Sequence, residues 1–409
     1  MRRGPAGRLQ GFAGAPVTTR TLLASNPSVT PDFDYALVGG GLQNGLIALA
    51  LRARQPSARI AVIERGDAPG GNHTWCFHAG DLRDPTWIEP LVVVRWSGYD
   101  VAFPDTRRRV EEPYACVSSA RLADQVTRAL ATDGSALLVR TTALAVEPER
   151  VRVRAPDGAV RELTARVVID ARGPDRAVVG RSGWQKFLGR ELRLSAPHDL
   201  ERPMLMDARL PQRDGFRFMY VLPLAADRLL VEDTAFSNGT YLDASASRED
   251  IASYVGSRGW TVAEVVREET GILPLPLEYE PPSSRAPLIA GYGGGWFHPV
   301  TGYSFPIAAR LAELVAALAP ERLFGEELAA HARAHVRQAR FALRLNRMLF
   351  RWFHPEQRYR VLERFYRLPA PVIRRFYALE LTALDRARIV VGRPPRGLSL
   401  RVALGQEAS

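Results

Sequence analysis

The chain has 409 residues and a mass of 45.3 kDa, room for two or three domains at ~100 to 200 residues each, and its 46% hydrophobic, 24% charged and 9% aromatic residues are an ordinary globular mixture. No apolar run approaches the ~18 to 20 residues that cross a bilayer, which excludes a protein held by spanning helices. The formal charge is +11, yet Lys186 is the only lysine among 55 basic residues and Cys76 and Cys116 are the only cysteines; a P-loop, a cysteine zinc site and a disulfide framework are thereby excluded, and the two thiols suit a reducing compartment.

Residues 1–31 contain Arg, Gly, Ala, Pro and Thr, carry no acid and lack the apolar segment of a secretory signal, so they are read as a disordered arm, with a transit peptide as the alternative. Order is expected from about Asp34. There Tyr35-Ala-Leu-Val-Gly39-Gly40-Gly41-Leu-Gln-Asn44-Gly45 and Arg59-Ile-Ala-Val-Ile-Glu64-Arg65 spell strand, glycine turn, helix, strand and acid. Short β-rich runs follow at 91–94, 137–139, 151–153 and 167–170, with a hairpin over 216–236. After Gly302 the pattern turns helical, with Ile307, Leu311, Leu314, Val315 and Leu318 at helical spacing. From His331 to Tyr377 it is helical, basic and aromatic.

A glycine turn between a buried strand and a helix lets the backbone approach a pyrophosphate, which the helix amino terminus then faces. Gly39, Gly41 and Gly45 occupy that turn, and Glu64, with Arg65 beside it, lies 23 residues beyond Gly41, near the ~20 expected of a ribose-binding acid. The strict pattern has glycine where this chain has Asn44, a residue that tolerates positive φ. The sequence alone calls for a dinucleotide without saying which. Two further segments resemble the second and third flavin-contacting motifs of the p-hydroxybenzoate-hydroxylase-like FAD enzymes: Val167-Val-Ile-Asp170-Ala-Arg-Gly173, and Leu288-Ile-Ala-Gly291 running on to His298-Pro-Val-Thr-Gly302. Asp170, Gly173, Gly291 and Gly302 are accordingly cofactor candidates, although Tyr292 stands where many of those enzymes have aspartate. A helix starting near Ser304 would aim its positive end at the flavin and favour an anionic reduced form. The expected fold class is α/β: a discontinuous Rossmann-like FAD domain (32–190 and 285–325, with substrate-domain strands inserted around 85–115), a mixed-sheet β-rich substrate domain (191–284), a basic helical carboxyl-terminal region (326–395) and a tail (396–409).

In order along the chain, Val38-Gly-Gly-Gly-Leu-Gln-Asn-Gly, Gly70-Gly-Asn-His-Thr-Trp75, Val168-Ile-Asp170, Val231-Glu-Asp-Thr234, Glu269-Thr-Gly-Ile-Leu-Pro274, His298-Pro-Val-Thr-Gly-Tyr-Ser304, Asn346-Arg-Met-Leu-Phe350, Arg375-Phe-Tyr377 and Gly392-Arg-Pro-Pro395 resemble the bacterial lycopene cyclase family. That resemblance implies isomerisation of acyclic carotenoid ends to β-ionone rings, with reduced FAD required, NAD(P)H as the electron source and no net redox change. The implied chemistry is protonation of an alkene, ring closure on the cation and proton loss. An alkene is a poor base, so the acid must be neutral at working pH, and burial in an apolar cavity raises a carboxyl pKa.

Glu232 is the candidate acid carried over from the family. Strand alternation puts Glu232 and Asp233 on opposite faces, so only one enters the cavity, and alternation alone leaves open which. Phe216, Phe218, Tyr220 and Leu222 are candidate walls for a polyene. Glu269, with Glu268, forms a second acidic pair, cavity-lining or an alternative donor. His73 and His298 are either hydrogen-bonded loop histidines or neighbours of flavin or substrate; His331 and His335 lack the glutamate of a zinc motif, and no metal is expected. Between Ala330 and Tyr377 stand 12 arginines and two acids among many aromatics. This suits either an anionic membrane surface or a core-packed helix with arginines in water, whereas nucleic-acid recognition motifs are missing. The expected setting is cytoplasmic and peripherally membrane-associated, with lycopene as substrate. A flavin monooxygenase or reductase of a polyisoprenoid and a non-catalytic flavin- or carotenoid-binding protein are the rival functions.

Overall fold

The computed structural model describes residues 30–173, 182–278 and 281–391. All but the last two residues of the expected amino-terminal arm lie outside them, as do the expected tail over 396–409 and the motif at 392–395. The architecture is the α/β one expected, with a Rossmann-type sheet, a mixed second sheet and a helical carboxyl-terminal region.

The first strand, Phe33–Val38, passes through the glycine turn into the helix Leu42–Arg54, and the strand Ile60–Ile63 returns parallel to it. Tyr35 to Val38 and Ile60 to Ile63 are buried without alternation, because both faces of a parallel sheet are covered. Across this sheet the order is Ala136–Leu138, Ile60–Ile63, Phe33–Val38, Val160–Asp170, Arg150–Arg154 and Thr142–Val146. The strand Val160–Asp170 serves two ladders: its second half runs parallel to Phe33–Val38 and Leu288–Ile289, its first half antiparallel to Arg150–Arg154. Parallel strands end at one edge, so the turns after Val38, Asp170 and Ile289 all emerge together. Helix Leu42–Arg54 packs on helix Phe305–Ala317, and Gln43 Nε2 donates to Ala308 O at 3.1 Å across that contact.

The second sheet runs Val262–Pro276, Ser182–Leu194, Arg228–Ser237, Phe216–Ala225, Met204–Asp207, Tyr99–Ala102, Arg107–Val110. Its pairing is antiparallel except between Met204–Asp207 and Tyr99–Ala102. Alternation gives it two unlike faces. Leu188, Leu192, Val221 and Val231 pack with Ile251 and Val255 of the helix Ala244–Ser257. The opposite face presents Phe187, Phe218, Tyr220, Glu232 and Glu269 to a cavity. A three-stranded antiparallel sheet, Thr74–His78, Tyr114–Ser118 and Val92–Trp96, supplies Thr74, Trp75, Cys76 and Tyr114 to the same cavity. It sets the buried free thiols Cys76 and Cys116 opposite each other.

Among the described residues the basic carboxyl-terminal stretch forms four α-helices, Glu326–Trp352, Tyr359–Phe365, Ala370–Tyr377 and Ala383–Val390. Pro355 and Pro369, which lack an amide proton, stand at two of the breaks. Glu326–Trp352 buries Leu328, Ala332, His335, Ala339, Ala342, Asn346, Leu349 and Phe350 at three- and four-residue spacing. Most of this region's aromatics turn inward: Phe350, Phe353, Phe365, Tyr366, Phe376 and Tyr377 are buried. Helix Ala383–Val390 is inverted, with Asp385 buried against Arg375 while Leu384, Val390 and the following Val391 are 59%, 49% and 69% exposed. Among the described residues no helix is long and apolar enough to cross a membrane.

Candidate active site

A cavity of about 580 Å³ joins the glycine turn to the acidic face of the second sheet. At the turn, Gly39 takes φ +91°, and a Cβ there would meet the Ala171 carbonyl group at 3.0 Å, so only glycine lets the two turns touch. Gly41 precedes the helix with no side-chain cap, and the place of its missing Cβ is open space. The first amide groups of that helix and the positive end of its dipole are therefore not covered by a side chain at Gly41, as an anion-binding turn requires. Asn44 does not use its tolerance of positive φ, because it lies within the helix. Instead, fully buried, it donates from Nδ2 to Val38 O and Gly39 O, both at 2.9 Å, and so fastens the turn. Gly45 provides the close approach, since a Cβ would stand 3.0 Å from Leu122 Cδ1 on the helix Ser119–Leu130.

Glu64 and Arg65 line the cavity; Glu64 accepts from Gly40 N at 2.7 Å and Gly66 N at 2.6 Å, retaining lone pairs for ribose hydroxyls. Asp170 is held by Arg172, with Nε 2.9 Å from Oδ1 and Nη2 2.7 Å from Oδ2. The cavity wall there is made by Ala171, Arg172 and Gly173 instead. Gly291 and Gly302 also line it, at φ +60° and +66°. Tyr292 donates its hydroxyl to Gly302 O and stacks on Phe297 with centroids 4.2 Å apart, so it closes the loop rather than offering a carboxylate. Ser304 and Phe305, at the uncapped start of the helix Phe305–Ala317, complete this part of the wall. The glycine turn, the ribose-type acid and two uncapped helix ends fit FAD.

On the second sheet, register places Glu269, Gly189, Glu232 and Tyr220 in one row across four adjacent strands. Glu232 lies on the cavity wall, and its pKa is raised from 4.5 to about 8. Burial is the chief cause, the Glu269 charge adds to it, the hydroxyl bond from Thr234 opposes it and the Asp233 charge adds a little. Asp233 points the other way, into a buried pair with Arg217 at 2.7 Å, under the helix that also brings Asp250 to Arg217. Glu268 is likewise on that far face, where Arg248 and Arg190 bring its pKa down to about 2. Glu269, 3% exposed, lines the cavity and is paired with Arg267 Nη1 at 2.5 Å. Thr74 Oγ1 donates to it at 3.3 Å. The structure thus brings Glu232 and Glu269 together and keeps Asp233 and Glu268 away.

Phe218 and Tyr220 of the expected wall face the cavity, whereas Phe216 and Leu222 are in the core. His73 lines the cavity, its pKa lowered by burial. His298 is fully buried against Phe376 and is pushed down to about 3 by desolvation, so it is a neutral core histidine. His331 and His335 pack on Trp296. Sequence reasoning missed Arg267, Gly189 and Arg172. Alternation could have found Arg267, two residues from Glu269 on one face of a strand; Gly189 depends on register, and Arg172 on a turn geometry that no spacing announces.

A sequence profile of the family described as "lycopene cyclase protein" matches residues 34–403. The lycopene beta-cyclase of Pseudescherichia vulneris is 43% identical over 371 residues, covering 88% of this chain and 94% of that protein. The lycopene beta-cyclase of Pantoea ananas is 42% identical over 375 residues, covering 89% and 96%. Among solved structures, a geranylgeranyl bacteriochlorophyll reductase-like protein from Thermoplasma acidophilum superposes with a TM-score of 0.59 at 12% identity, covering 88% of this chain and 95% of that one. A flavin-dependent brominase superposes with a TM-score of 0.59 at 12% identity, covering 87% and 97%.

Proposed function

The chain belongs to the lycopene cyclase family, and from that premise we propose that it is an enzyme of carotenoid biosynthesis that closes the acyclic ends of lycopene into β-ionone rings, with Glu232 as the proton donor. The observation that carries this assignment is Glu232 itself, a carboxyl group on an otherwise largely apolar wall whose pKa of about 8 keeps it protonated near neutrality. A neutral carboxylic acid in a water-poor pocket can protonate an alkene that an exposed carboxylate could not. Phe187, Phe218 and Tyr220 flank it and offer π faces to the cations that follow.

FAD would be the cofactor, and when bound in reduced form it would supply negative charge beside the cationic stages without net electron transfer. Gly39, Gly41, Glu64, Arg65, Gly173, Gly291 and Gly302 are the residues that would hold it. NAD(P)H is the electron source in this reading, since the flavin has to be reduced once before turnover. Asn44 and Gly45 support the cradle from behind, and Asp170 does so through Arg172. The substrate lives in bilayers, and we place the membrane-facing surface at the inverted helix Ala383–Val390. Exposed Leu384, Val390 and Val391 with neighbouring Arg388 support that choice.

Expression in cells that accumulate lycopene tests the function. The expected product has the mass of lycopene, absorbs at shorter wavelength and co-elutes with β-ring standards; the Glu232→Gln variant retains flavin and forms no ring. A product altered in oxygen or hydrogen content would overturn the cyclase reading in favour of a monooxygenase or a reductase.

A further inference from the structure

Ring closure leaves a tertiary cation flanked by three kinds of hydrogen: the one on the carbon bearing the polyene, those of the adjoining ring methylene and those of the methyl group. Losing the first gives the conjugated β ring, the second the ε ring, the third an exocyclic alkene. Such a cation is so strong an acid that any nearby base suffices, so the position of the base, not its strength, decides the ring. Glu269 is placed for that choice. It is held by Arg267, which is itself fixed to Glu191 at 2.9 Å and to Asn72 Oδ1 at 3.0 Å. Its carboxylate is therefore clamped in one position on the cavity wall, the opposite of a mobile surface acid. Gly189 lies between it and Glu232, and a Cβ there would stand 3.2 Å from Glu269 Cγ and 3.4 Å from Glu232 Cγ. Two carboxyl groups thus converge over a residue that contributes no side chain.

Resting on the cyclase reading, we propose that Glu269 is the base that removes the proton from the polyene-bearing ring carbon, and so fixes the β outcome. Glu232 gives its proton to the terminal alkene. The electron pair of the second alkene forms the ring bond, and the cation moves to the methyl-bearing carbon. The C–H bond beside it breaks, its electron pair becomes the ring double bond and the proton passes to Glu269. Glu269 returns that proton to Glu232 across the gap over Gly189, directly or through one water, and the pair is reset with no net change in protons or electrons.

The test uses flavin-loaded, reduced enzyme with lycopene in D2O, comparing wild type, Glu269→Gln and Glu269→Asp. Wild type, whose Glu232 carboxyl proton exchanges with solvent between turnovers, is expected to give β rings carrying one deuterium each. The Gln variant still protonates: it is expected to return lycopene labelled at its ends, or ε and exocyclic rings, with β-ring formation down at least tenfold, while Asp restores β rings in part. β rings alone from the Gln variant at near the wild-type rate would overturn the assignment, and so would a folded, flavin-loaded Gln variant that neither cyclises nor labels lycopene. If Gln does not fold, Asp decides: an unchanged product ratio and rate overturns the assignment, and a shift toward other ring isomers supports it. Absence of any ring from the wild-type enzyme would instead sink the cyclase reading itself.

Discussion

Glu232 puts chemistry and stability at odds within one side chain. Burial pushes its pKa in the folded chain up to about 8 from an ordinary 4.5, so below the lower value both folded and unfolded chains hold the proton and nothing is lost. As pH rises from about 4.5 the unfolded chain releases the proton and the folded one does not, so stability falls until the folded group ionises near 8. The Glu232→Gln variant, which keeps the shape and cannot ionise, should therefore be more stable than wild type by roughly 2 to 4 kcal/mol at pH 8.5, taking ~1.4 kcal/mol per pKa unit and allowing for the cavity's residual solvent, and no more stable at pH 4. Thermal unfolding of the two flavin-loaded proteins at both pH values checks this; equal stability at pH 8.5 would mean that Glu232 is solvated. In the same window the cyclisation rate of wild type should decline as pH rises through about 8, because the donor loses its proton. The candidate acid was readable from Val231-Glu-Asp-Thr234 only as one of two neighbours. Which neighbour enters the cavity is decided by the helix Ala244–Ser257, whose Asp250 joins Asp233 in binding Arg217, a tertiary partner invisible to strand alternation.

The strand Ser182–Leu194 forms the middle of the acidic row, and its glycine is the element-scale device of the site. Alanine at position 189 would press its methyl against both glutamate stems at 3.2 to 3.4 Å, a distance at which the neighbours have to yield by a few tenths of an ångström. The Gly189→Ala variant should fold and hold FAD, yet lose about tenfold or more in cyclisation rate, since small misplacements of reacting groups are costly. Unchanged turnover would show that the two carboxyl groups do not need to converge. Long periodic or apolar signals made the elements themselves legible: the first strand, its glycine turn, the helix after it and the helix after Ser304 all appear where the sequence puts them. Ladder register was not legible, because Glu269 and Glu232 are 37 residues apart and meet only through a strand that lies between them. In sequence the carboxyl-terminal region is one basic, aromatic, helical stretch. Its composition was right, but its aromatics were needed indoors, where Phe365, Tyr366, Phe376 and Tyr377 pack on one another.

For the whole molecule, a net charge of +11 carried almost entirely by arginine gives a general attraction for anionic surfaces. In the proposed membrane contact, exposed Leu384, Val390 and Val391 would give that attraction a place to act. Binding to vesicles containing a third anionic lipid should weaken severalfold between low and high salt, as surface charges are screened. Replacing Leu384 and Val391 by Asp should weaken it further at either salt concentration without altering flavin content. Sedimentation with vesicles measures both effects; binding indifferent to salt and to these substitutions would move the contact elsewhere.

Sharing the strand Val160–Asp170 between two ladders also dictates the order in which the chain can fold. Phe33–Val38 has no inner partner until Val160–Asp170 has been made, and the parallel sheet is not complete until Leu288–Ile289 joins it. The second sheet likewise holds Tyr99–Ala102 waiting for Met204–Asp207, and Ser182–Leu194 waiting for Val262–Pro276. A chain emerging from the ribosome at ~5 to 20 residues per second thus spends about ten seconds or more with open strand edges. Its non-local pairings make late closure intrinsic to the topology. The glycine cradle, whose walls come from all three loops at the strand ends, is assembled only after position 302 has been synthesised. A cofactor held by these loops is therefore captured late, once almost the whole chain has been made.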